Sequence, residues 1–185
     1  GLATARWITA DMAYRREALA RVGGFDERFP RAYREDAELA LRVQALGYRI
    51  VRGTRVTTHP VHPSTFLTSL HHQRGNADDA LMRRLLGARW RSLIGGRRGR
   101  LRTHATTTAA GLAAVLCGLS GRRRAALLLG TVWAALTGWF ATQRIVPGPR
   151  TADEVARMVV TSALIPPAAC LHRVRGEVRY RRVRP

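Results

Sequence analysis

Two neighbouring acids, Glu35 and Asp36, stand where a loop gives way to an amphipathic helix. From about residue 35 to 46 the apolar residues Leu39, Val43 and Leu46 recur at spacings of four and three, so they share one face. Asp36 lies three before Leu39 and four before Ala40, at the start of that inward face. Glu35, Glu38 and Arg42 fall on the other side, where Glu38 and Arg42 make a favourable pair four apart. Gly47 suits the left-handed position just past the helix end. A carboxylate placed like Asp36 has two readings. It caps the helix and complements its dipole, or it points into a cleft and takes part in a reaction there.

Other residue types that do chemistry are sparse. His59-Pro60-Val61-His62 has the look of a zinc pair, but no cysteine lies near it and the sequence supplies no clear third ligand. His62, His71 and His72 are weaker candidates than His59. Cys117 and Cys170 sit in separate apolar stretches and read as buried free thiols, not a disulfide framework.

The elements that must position the acidic pair come before and after it. Trp7-Ile8-Thr9 reads as a strand, and Asp11, which follows its end, either faces a cleft or serves as a turn or cap residue. Residues 15–22 read as a short helix with Ala18, Leu19 and Val22 inward. Gly23 and Gly24 end it, since glycine takes positive φ cheaply. Phe25 is expected in the core, and Asp26 is expected to turn the backbone. Arg28, Arg31 and Arg34 lie in the loop that leads to Glu35. They suit a phosphate or an acidic ligand, or simply solvent. After Gly47, residues 48–51 and 55–58 alternate as short strands around a turn at Gly53. Residues 64–86 look helical with a break near Gly75-Asn76.

The order of these motifs resembles a known family. Thr9-Ala10-Asp11-Met12-Ala13-Tyr14-Arg15-Arg16, then Val22-Gly23-Gly24-Phe25-Asp26-Glu27, then Glu35-Asp36 with Leu39, Arg42 and Gly47, is similar to the acceptor-side half of a family-2 glycosyltransferase. The likeness covers roughly residues 7–59. It implies an α/β fold, the C-terminal part of a GT-A (nucleotide-diphospho-sugar transferase) domain, and reaction with inversion at the sugar. It implies that Asp36 is the general base that takes the proton from the acceptor hydroxyl. It places Asp11, Gly24, Phe25, Asp26 and Glu35 on the acceptor side. Such enzymes often add a histidine to the metal site from a strand after the base-bearing helix, and His59 matches. The implied cofactor is a divalent metal, Mg or Mn. The implied partners are a nucleotide-sugar donor and a glycan or lipid-linked acceptor. In the family the nucleotide-binding half, with its Asp-x-Asp metal motif, precedes this point. No Asp-x-Asp occurs here, so the chain is expected to be the later half of a longer enzyme, inactive alone. Gln73-Arg74 and Arg89-Trp90 do not form the Gln-x-x-Arg-Trp motif of processive synthases, which favours transfer of a single sugar.

The formal charge is +20, and every basic residue is arginine. Such a balance suits nucleic acid or an anionic membrane surface. The arginines scatter through the front and flank apolar segments, without the clustered, aromatic-interleaved element that nucleic-acid recognition needs, so no nucleic-acid partner is expected. Nine acids precede Arg102 and three follow it. The chain thus divides into a mixed catalytic part, 1–102, and a hydrophobic, arginine-flanked helical part, 103–185, expected to associate with a membrane. Residues 83–102, densely basic around Trp90, suit anionic headgroups or a solvated connection. Three apolar stretches follow, 105–119, 125–142 and 155–171, near or below the usual ~20 residues of a spanning helix. Pro166-Pro167 is expected to kink or stop the third. Pairing the second and third puts Arg122-Arg123-Arg124 and the arginine-rich tail on the cytoplasmic side, with the first stretch lying in the interface. A soluble helical bundle is the alternative. The expected location is the cell membrane, with the catalytic part cytoplasmic and a role in cell-envelope or lipid-linked glycan synthesis. The rival reading is a non-catalytic membrane adaptor derived from such an enzyme.

Overall fold

A computed structural model describes Trp7 and residues 11–54, 56–58, 65–96 and 98–183. All regular structure among these residues is helical. In chain order the helices are α1 (Arg16–Val22), α2 (Glu35–Ala45), α3 (Thr68–His71), α4 (Gly75–Leu86), α5 (Trp90–Leu93), α6 (Leu101–Leu119), α7 (Arg123–Ile145) and α8 (Ala152–Arg179), with a 3-10 turn, His72–Arg74, joining α3 to α4. The α/β expectation is therefore not met among the described residues. A strand is held by ladder bonds to a neighbour and is marginal alone. Residues 48–51 and 56–58 have no such ladder and stay irregular. Of the expected first strand only Trp7 is described.

The chain divides into two compact units. The first comprises Gly1–Pro63, Asp78–Arg98 and Gly176–Pro185. Its main core gathers Phe29, Ala37, Leu81, Met82, Trp90, Ile94 and Tyr180. The Trp7 indole N–H donates to the Ile94 carbonyl at 2.9 Å. The Tyr180 hydroxyl donates to the Arg28 carbonyl at 3.2 Å. A second cluster joins Ala18 of α1 to Leu39 and Val43 of α2, flanked by Tyr14, Leu19, Val22 and Tyr48. So α2 is covered on two sides. Ala37 belongs to one cluster and Leu39 and Val43 to the other.

That double cover corrects two expectations. Glu38, read as solvent-facing, is only 4% exposed, because the side opposite Leu39 is also packed. Leu46, read as inward, lies past the helix end as its C-cap and is exposed. The limits of α1 and α2 otherwise follow the apolar spacing. Gly23 and Gly47 close the two helices at φ 75° and 88°, a region that favours glycine.

The second unit comprises Ser64–Ala77 and Gly99–Arg175. In it α6 and α7 pack closely. A Cβ added at Gly111 of α6 would lie 2.8 Å from Cδ1 of Trp133 on α7. Near the end of α7, Arg144 donates to Thr161 Oγ1 and Ser162 Oγ of α8, both at 2.8 Å, and to Ser69 Oγ at 3.0 Å. Pro166 and Pro167 do not stop α8, which runs through them. Each proline removes one amide donor from the helix ladder, but Thr161, Ser162, Ile165, Pro166 and Ala169 around them are buried, and packing holds the helix. Among the described residues two helices, α7 with 23 residues and α8 with 28, are long and apolar enough to cross a membrane.

Candidate functional site

The carboxylate pair opens α2, as the spacing predicts. Asp36 is half-buried, and its Oδ1 accepts the Ala37 amide at 2.6 Å. Burial pushes its carboxyl above the ordinary value, against the pull of the Ala37 amide and the Arg34 charge. A raised carboxylate is a stronger proton acceptor. Burial likewise raises Glu35, and its Oε2 is enclosed with no hydrogen-bond partner among the described residues. Tyr14, which precedes α1, is raised first by its own burial and then by the Asp36 charge, which puts it in the electrostatic neighbourhood of that carboxylate.

The glycine turn is tied to the same helix. Arg42 donates to both oxygens of Glu38, at 2.7 and 2.8 Å. It also donates to the carbonyls of Val22 at 2.6 Å and Gly24 at 2.8 Å. One guanidinium thus bridges the end of α1, the turn and α2. Asp26 turns the backbone as expected, accepting the Arg28 amide at 3.0 Å. Its carboxylate also takes the Arg28 guanidinium, at 2.9, 3.0 and 2.6 Å. Those side-chain bonds hold Asp26 below the ordinary carboxylate value.

Gly24 is tied to α2 through Arg42, Asp26 is paired with Arg28, and Glu35 and Asp36 open α2 at the far end of the same loop. Phe25, expected in the core, is 46% exposed, because Gly23 and Gly24, both at φ 75°, turn the chain outward there. Asp11 is exposed. His59 and His62 lie outside the described residues. Among the described residues no three His, Cys, Asp or Glu side chains gather into a metal site.

Arg28 is exposed and pairs with Asp26, whereas Arg31 and Arg34 have buried acidic partners that sequence reasoning missed. Arg31 donates to Asp78 Oδ2 at 2.7 and 2.5 Å. Arg34 donates to Asp79 Oδ1 at 3.0 Å. Asp78 and Asp79 are 1% and 4% exposed. Burial raises Asp78 despite its arginine. Asp79 also binds Arg91, and the guanidinium groups of Arg34 and Arg91 both stack on Trp90, at 5.2 and 4.4 Å. The signal was present as two adjacent acids in a basic stretch, facing a loop with arginine at every third position. Arg34 itself has φ 78°, a backbone state that costs a residue other than glycine about 1–3 kcal/mol.

The family model for glycosyl transferase family group 2 matches residues 3–167. The chain belongs to that family. No curated protein and no solved structure matches it.

Proposed function

We propose that the chain forms the acceptor side of an inverting glycosyltransferase, anchored in a membrane, and that Asp36 is its general base. The observation that carries this reading is the place of Asp36. It starts a buried helix in a family-2 chain, half-enclosed, with a carboxyl raised by burial. In the reaction the acceptor hydroxyl oxygen attacks the anomeric carbon of a nucleotide-activated sugar. The C–O bond forms as the bond to the nucleotide diphosphate breaks, and the hydroxyl proton passes to Asp36. The helix N-terminus favours the ionised carboxylate that must accept it.

Glu35 shares the buried start of α2 and suits a second contact to the acceptor. Gly24 and Asp26 hold the rim of the loop. A divalent cation, Mg or Mn, would neutralise the diphosphate as it leaves, with His59 as the residue this chain offers to it. The membrane helices suit a lipid-linked or cell-envelope acceptor, and the arginines at 122–124 and 173–182 favour a cytoplasmic catalytic part.

The test is Asp36→Asn in the enzyme assayed for sugar transfer. Asparagine keeps the size and the bond to the Ala37 amide but takes no proton. The expected loss in kcat is ~10²–10⁴-fold with donor affinity little changed. A variant that keeps most of its kcat would sink the assignment. A companion loss in Glu35→Gln alone would move the base by one residue.

A further inference from the structure

The residue before the carboxylate pair is held against its own backbone preference. Arg34 has φ 78° and ψ −21°, a state in which a residue with a Cβ is strained. It is also the residue from which α2 starts, and its carbonyl accepts the Glu38 amide at 3.0 Å. Its conformation therefore sets the direction of the first turn, and with it the direction of Glu35 and Asp36. Its side chain does not cap the helix. It reaches instead to α4, where Nε donates to Asp79 Oδ1 at 3.0 Å. Nη2 donates to the Tyr33 hydroxyl at 2.9 Å. The guanidinium stacks over Trp90, which is 3% exposed. Asp79 is fixed in turn by Arg91, on its other oxygen.

We propose that Asp79 is a positioning residue for Glu35 and Asp36: by gripping the Arg34 guanidinium it keeps Arg34 in its left-handed backbone state and so fixes where α2 begins. The helix that carries Asp79 thereby controls the aim of two carboxylates it does not touch. Asp79 is buried and close to two arginines and an indole, so it is shielded from any acceptor. The geometric part stands alone. Only its importance for turnover rests on reading Asp36 as the base.

Glycine separates this role from ordinary packing. A glycine at position 34 adopts positive φ without strain and has no need of the grip. The experiment measures amide exchange and the titration of the Asp36 carboxyl by carbon-13 NMR, in the full chain held in detergent micelles. In Asp79→Asn, exchange at residues 36–39 is expected to speed by about tenfold or more while α1 keeps its protection. The double variant Arg34→Gly with Asp79→Asn is expected to return that exchange to within about threefold of the parent. Unchanged exchange in Asp79→Asn, or no recovery in the double variant, would overturn the proposal. If Asp79→Asn does not fold, Arg34→Ala and Arg34→Gly are compared with Asp79 intact. Alanine should fray the start of α2 and shift the Asp36 titration further than glycine does, and equal behaviour of the two would overturn it. Loss of the base assignment by Asp36→Asn leaves these exchange results unaffected, so the two ideas fail separately.

Discussion

Gly111 and Trp133 meet face to face where α6 packs on α7: the space a Cβ would need at position 111 is taken by the indole, 2.8 Å away. The glycine is there for close approach, since it lies inside a helix at an ordinary φ. Gly111→Val is expected to destabilise the second unit by about 1–3 kcal/mol through overpacking. Trp133→Ala in the same chain should recover part of that loss. Thermal unfolding in detergent, followed by circular dichroism, gives the comparison. A valine variant as stable as the parent would mean the indole swings aside freely.

Glu38 gives a second prediction. Its pair with Arg42 has the spacing of a surface pair four apart, which stabilises by about 0.2–0.5 kcal/mol. It is instead buried and doubly hydrogen-bonded, and Arg42 also holds the turn at Gly24. Glu38→Gln is expected to cost about 1.5–3 kcal/mol, as for hydrogen bonds to charged groups. Denaturant unfolding reads it. A cost of a few tenths would show that the two carbonyls alone keep Arg42 in place.

Acidity should act on Asp26 and Asp36 in opposite directions. Arg28 lowers Asp26, so Asp26 contributes stability above its unfolded pKa, and this is lost as pH falls through its lowered folded value. Burial raises Asp36, so the native state holds that proton to higher pH than the unfolded chain does. Stability therefore falls as pH rises from the unfolded pKa through the raised folded value. Asp36→Asn should remove that fall and leave the chain at least as stable at neutral pH. Asp26→Asn should flatten the acid limb. Unfolding measured across the pH range 3 to 8 checks both, and an Asp36→Asn chain clearly less stable at neutral pH contradicts the burial argument (about one Debye length of salt screening changes neither sign).

Extraction addresses the membrane. A chain whose α7 and α8 are inserted should stay with membranes through a wash at about 1 M salt, which screens surface charge to about 3 Å. It should leave only with detergent. Release by salt alone would reduce the attachment to arginines on headgroups.

The first turn of the site was legible because a 3.6-residue period and two glycine stops are local signals. They place α1 and α2 within a residue of where they lie. The same period does not separate Asp36 from Glu35, since both are half-buried at the start of α2. Nor does it give the fate of Glu38, because one apolar stripe does not reveal that a second element covers the opposite side. Arg31 and Arg34 were readable as loop residues but not as partners of Asp78 and Asp79, which lie 47 and 45 positions away. Alternation at 48–51 suggested a strand, yet a strand depends on a neighbour that its own residues do not specify. Pro166-Pro167 does not stop α8, since packing around the helix outweighs the local rule there.

Tyr180 reaches the carbonyl of Arg28 across 152 positions of chain. Residues from both ends of the sequence therefore belong to one core and must share one side of any bilayer. Crossings between them then come in even number. The two helices long and apolar enough to cross among the described residues, α7 and α8, satisfy that parity as a pair. A third crossing by α6 would strand Tyr180 on the far side, and a single crossing would do the same. One tyrosine hydroxyl thus acts as a topological constraint on any path of the hydrophobic segment through a bilayer.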